Sequence, residues 1–119
     1  MASLAQLREA QRMADPVLVE TTRALAPLLL SSREETERSR KLAPPLVAAL
    51  VDAQLFRLAV PRANGGLEAP PLEALAVFSE LASVEASAAW IVWNNTLPAL
   101  MSRFLAPDMR AALFAPRTV

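Results

Sequence analysis

The chain has 119 residues, 54% of them hydrophobic, and its 12 basic groups match its 12 acidic groups. It contains no His and no Cys, which removes thiol nucleophiles, imidazole bases, disulfides and the usual zinc ligand sets. Zero formal charge speaks against a nucleic-acid surface, which needs a basic footprint, and no helix has the basic polar face of a membrane-surface element. A single domain fits this length, and about two thirds of its unfolded surface can be buried.

Ala and Leu dominate the apolar set, Tyr is absent, and Val and Ile are scattered. That bias predicts an all-α fold. Arg8, Glu9 and Arg12 interrupt the apolar spacing of residues 1–14, so no secretory leader is expected. No 18-residue apolar run predicts a membrane span. The expected location is the cytoplasm.

In chain order, residues 2–14 carry helical spacing through Leu4 and Leu7. Residues 1–15 are read as an arm or short helix, and residues 16–119 as the domain proper. Asp15 can cap the next helix, with Pro16 in its first position. That helix is expected over residues 16–42, kinked by Pro27. Its charged second half offers Glu34–Arg38 and Glu37–Lys41 pairs at i,i+4 spacing.

Pro44-Pro45 breaks the run, and a short helix follows to residue 54 with Leu46, Ala49 or Leu50, and Ala53 inward. Residues 55–60 read as an extended apolar connector ended by Pro61. Asn64-Gly65-Gly66 is a turn signal. It lacks the spacing and the Lys of a phosphate loop, so a structural turn is expected.

Pro70-Pro71 opens a helix to about residue 85, with Leu72, Leu75, Phe78, Leu81 and Ala82 as its buried stripe. Ser87 can cap a further helix over residues 88–105. Its first half is apolar all round and should be central. Pro107 starts a last short helix. The expected architecture is an antiparallel bundle of five or six helices with one short extended connector.

Glu73, Glu80 and Glu85 are read as solvated or helix-end charges, because a carboxylate-bridged metal bundle also wants His. No metal ligand set and no catalytic residue is assigned. Trp93, Asn94 and Asn95 are the substrate-pocket candidates. Two amides in an apolar helix need partners or cost roughly 1–3 kcal/mol, and Pro98 frees the Asn94 carbonyl and should bend the helix. The site is either a self-satisfied kink or a kink opening on a pocket, with one Asn facing inward and the other at the margin.

The stretch KLAPPLVAALVDAQLFRLAVPRANGGLEAPPLEALAVFSELASVEASAAW, residues 41–90, resembles the N-terminal helical domain of the acyl-CoA dehydrogenase superfamily. The order DAQLFRLAVP, GGLE, ALAVFSELA and SAAW carries the likeness. SAAW followed by a polar residue on the same helix looks more like the flavin-dependent monooxygenase branch. There, the resemblance implies, such a side chain faces flavin and an aromatic substrate, and Asn94 or Asn95 is the nearest match. His is often seen around that position in that branch, and this chain has none.

The resemblance implies an enzyme domain in a longer polypeptide, with FAD or FMN held mainly by a β-domain and a C-terminal helical domain. The substrate would be an acyl-CoA or a small aromatic compound. The segment alone is expected to bind no cofactor and to be inactive. The apolar surplus further suggests self-association or docking to a partner domain, so a non-catalytic interaction module is the contrasting reading.

Overall fold

A computed structural model describes residues 1, 3–13 and 16–115. Among them the regular structure is entirely helical: α1 (Leu4–Met13), α2 (Pro16–Arg23), α3 (Ala26–Ser31), α4 (Arg33–Ser39), α5 (Pro44–Asp52), α6 (Pro71–Val84), α7 (Ala86–Met101) and α8 (Pro107–Leu113). Three 3₁₀ turns, Leu55–Arg57, Arg62–Asn64 and Ser102–Phe104, lie between them. The all-α bundle expected from composition is the observed fold. The proposed Asp15 cap lies outside the described residues.

The expected single helix over residues 16–42 is instead three short ones. Leu25 bonds back to the Thr22 carbonyl, a tighter i→i−3 closure, and Pro27 takes a first-turn position of α3. Ser32 separates α3 from α4 with its backbone still near the right-handed helical region. Arg40 then adopts φ 58°, a left-handed C-cap that ends α4. Of the ion pairs, Arg38 joins Glu35 rather than Glu34. No Glu37–Lys41 pair forms among the described residues.

The connector at residues 55–60 is not extended. Leu55–Arg57 is a 3₁₀ turn, and Leu55, Leu58 and Val60 are buried within it or just after it. Compaction wins because this apolar run lies against α5 and α7, where a coil buries more side chains than a straight strand.

The core gathers Leu29, Leu46, Leu50, Leu55, Leu58, Val77, Leu81, Ala88 and Val92. Helix α6 is the hub, touching α1, α2, α3 and, most extensively, α7. Its buried face is Ala74, Ala76, Val77 and Leu81. Leu72, Leu75 and Ala82 face solvent and Phe78 is half-buried, so the inward stripe is rotated from the one predicted. Small side chains are buried on both helices, Ala74 and Ala76 on α6 and Ala88 and Ala89 on α7.

The Asn64-Gly65-Gly66 turn is structural. Gly65 has φ 80°. The Arg57 guanidinium donates to the carbonyls of Gly65 at 3.1 Å, Asn64 at 2.6 Å and Phe114 at 3.2 Å. Those bonds hold the connector on itself and tie it to the end of α8.

Candidate functional site

Helix α7 is capped by Glu85, not by Ser87. Glu85 is in the extended region, and its carboxylate accepts from the Ser87 N–H at 3.0 Å, which makes it the N-cap. The same carboxylate takes Arg33 Nε at 3.0 Å, while Arg33 Nη2 donates to the Val84 carbonyl. Burial pushes the Glu85 carboxyl up. The Ser87 N–H and the Arg33 guanidinium outweigh it and hold the group below its ordinary range. The start of α7 is thereby fixed to the start of α4.

Beyond this cap, residues 86–102 carry no charge at all. The inner face is Ala88, Ala89, Val92, Thr96 and Ala99. The opposite side is a stripe left without a cover. Trp90, Asn94, Leu97 and Met101 recur at i, i+4, i+7 and i+11, and all are exposed. Trp90 is 65% and Met101 62% accessible, and Phe104 extends the patch at 78%. The prediction that the apolar start of α7 is wholly interior is therefore corrected: one face is buried and the indole of Trp90 points out. A stripe of this kind, uncharged and containing two large anchors, is the usual mark of a surface meant to be covered.

The three predicted pocket residues go to three places. Trp93 is 38% accessible and packs edge-on against Phe78, ring centroids 5.3 Å apart at 85°. Asn94 belongs to the exposed stripe. Asn95 lies on the neighbouring side and lines a groove of about 540 Å³ with Val47, Val51, Phe56 and Ile91. Neither Asn faces the interior, contrary to the expectation that one would.

Both amides are satisfied locally. Asn94 Nδ2 donates to the Trp90 carbonyl at 2.8 Å and Asn95 Nδ2 to the Ile91 carbonyl at 2.9 Å. Thr96 does the same to Val92. Because a carbonyl can only accept, these bonds fix the amide orientation and direct each Oδ1 away from its own backbone. The helix continues through Pro98, which has no N–H to give the Asn94 carbonyl. The site thus presents indole faces, thioether and amide oxygens, and no acid, base or nucleophile of its own.

Sequence reasoning missed Leu97 and Met101 as members of this surface, and it tied Trp90 to an apolar surplus without assigning it a face. Their spacing was visible, but an all-apolar helix hides which side is inward.

The residues present do not make a nucleotide-phosphate site. The sole glycine pair is engaged by Arg57, and a Cβ built on Gly66 would lie 2.1 Å from the Val60 carbonyl, so the turn has no open cradle. Among the described residues no cluster of acidic side chains could hold a metal ion. No helix in the described residues is long and apolar enough to cross a membrane.

No curated protein and no solved structure matches the chain. The family model of the acyl-CoA dehydrogenase N-terminal domain matches residues 9–116, nearly the whole length. With its helical architecture, the chain therefore belongs to the acyl-CoA dehydrogenase N-terminal domain family.

Proposed function

We propose that this domain serves a flavin-dependent oxidoreductase of the acyl-CoA dehydrogenase type, and that the outer face of α7 forms one wall of the substrate and flavin cavity. The observation that carries the reading is the uncharged stripe Trp90, Asn94, Leu97 and Met101 on α7, the helix packed most extensively against the hub helix α6. A cavity wall needs apolar area with a few placed polar atoms, held on a rigid element. Helix α7 supplies both, with its register set by the Glu85 cap and the Phe78–Trp93 contact.

In this reading FAD or FMN is bound mainly by other domains and supplies the redox chemistry. The residues of this chain orient the substrate and exclude water. Trp90 and Met101 give apolar contact, and Asn94 Oδ1 is available to accept a hydrogen bond. No proton-transfer role falls to this helix.

A second reading has its own support. Two accessible indoles beside an amide suit a flat aromatic substrate better than an acyl chain, which favours the flavin-dependent aromatic monooxygenase type within the same superfamily. The experiment is Asn94→Leu and Trp90→Ala in the complete flavoprotein. Turnover is measured with an acyl-CoA and with a small phenol, beside flavin content and melting temperature. The proposal expects turnover to fall at least about tenfold, roughly 1.4 kcal/mol of transition-state stabilisation, with flavin and melting temperature retained. Unchanged turnover in both variants would make the stripe a docking surface only.

A further inference from the structure

A second surface lies on the neighbouring side of α7, and it is built from different residues. At the left-handed turn that ends α4, two hollows meet. One, of about 350 Å³, is polar and is walled by Thr36, Glu37 and Ser87. The other, of about 540 Å³, is apolar and runs between α5 and α7 over Val47, Val51 and Phe56. Arg40, Lys41, Leu42 and Ile91 line both. The two cations therefore stand at the junction of a polar and an apolar space.

Neither cation is used by the fold. Four other arginines are engaged, Arg23 with Glu80, Arg33 with Glu85, Arg38 with Glu35, and Arg57 with three carbonyls. The Arg40 and Lys41 side chains make no hydrogen bond or ion pair among the described residues. Lys41 engages Ser39 only through its backbone. Glu37 also lines the first hollow but not the apolar one, so an anion is favoured toward the groove and disfavoured beside Glu37.

Thr36 adds an independent observation. Thr21, Thr22 and Thr96 each donate their hydroxyl to the carbonyl four residues back, the usual resting place of a helical threonine. Thr36 lines the first hollow, and its hydroxyl is buried without a partner, so a ligand completes it only where the wall of the hollow gives way. A buried hydroxyl without a partner is costly unless something else completes it.

We propose that this cleft is a binding site for a small amphiphilic carboxylate, its apolar body on Val47, Val51, Phe56 and Ile91 and its carboxylate at Arg40 and Lys41. The volumes suit a small molecule. The apolar floor supplies contact area and the cations select the sign of the charge. Asn95, at the end of the groove, meets the distal end of the body. The site does not depend on the role proposed for the Trp90 stripe.

The test is an amide NMR titration of the 119-residue chain with 4-phenylbutyrate, beside 4-phenylbutylamine, which has the same body and opposite charge, and acetate, which has the charge without the body. The expected result is saturable shifts for 4-phenylbutyrate at Leu42, Val47, Val51 and Ile91, and no saturation with the other two. Arg40→Gln with Lys41→Gln, both on the surface, should weaken binding about fivefold or more with the spectrum otherwise intact. Thr36→Val should weaken it without loss of melting temperature. Equal binding of the amine, shifts centred on Trp90 and Met101, or unchanged affinity in the double variant would each overturn the assignment.

Discussion

Replacing Gly66 by Ala tests how the connector is held. The added Cβ would sit 2.1 Å from the Val60 carbonyl oxygen and 2.3 Å from its Cβ. Both are far inside any tolerated approach, and backbone cannot swing aside as a long side chain can. Relief requires the turn to lift off. Doing so strains four backbone bonds: Gly66 to Pro61, Leu67 to Arg57, Glu68 to Val60 and Ala69 to Leu58. At roughly 1 kcal/mol net each, and with buried Leu58 and Val60 loosened, the loss should be about 3 kcal/mol or more. That is a large share of the ~5–15 kcal/mol expected for a domain. Gly65→Ala is the control, since its Cβ would meet only Arg57 Nη2 at 3.4 Å. Its cost is the left-handed backbone, about 1 kcal/mol. Urea unfolding followed by circular dichroism reads both. A Gly66→Ala loss below that of Gly65→Ala would refute the packing argument.

Glu85→Gln should cost about 1–2 kcal/mol through the lost cap and Arg33 pair. Because the Glu85 carboxyl is held low in the folded state, its contribution is present above the unfolded carboxylate pKa. It is lost as pH falls through the lowered folded value, so the variant should show a flatter acid side in thermal melts against pH. Leu81→Ala, at a fully buried position on α6, should lose roughly 2–5 kcal/mol by cavity formation in chemical denaturation. Trp90→Ala should leave the melting temperature of the isolated domain almost unchanged. Trp93→Ala should lower stability by about 1 kcal/mol by removing the Phe78 edge contact.

The elements with sharp chemical borders were legible in the sequence. Pro44-Pro45, Pro70-Pro71 and Pro107 each stand at a helix start, where a missing N–H costs nothing. Leu46 turns inward as expected, and of the alternatives Ala49 and Leu50 it is Leu50 that is buried. The breaks at Leu25 and Ser32 were not legible, because both residues keep near-helical backbone angles and no turn residue marks them. The connector misled because an apolar run without periodicity reads equally as strand or coil, and only packing against α5 and α7 decides.

The α6 stripe was misjudged by assuming that the largest side chains turn inward. As the hub among α1, α2, α3 and α7, the helix buries the small Ala74 and Ala76 instead. At the candidate site, the sequence singled out α7 through Trp93, Asn94 and Asn95. It did not separate Trp93, Asn94 and Asn95, since consecutive helical positions lie ~100° apart and the inward direction is set by neighbours.

The central claim is that the Trp90 face of α7 looks onto flavin and substrate, and Trp90 itself can report on it. In a Trp93→Phe background Trp90 is the sole indole of these 119 residues; its fluorescence and acrylamide quenching are measured in the isolated domain, and in the complete flavoprotein as the difference from the same protein carrying Trp90→Phe as well. The account predicts an open, readily quenched Trp90 in the domain alone. In the holoprotein it should be shielded and strongly dimmed by energy transfer to the flavin. A Trp90 equally accessible and equally bright in both would contradict it.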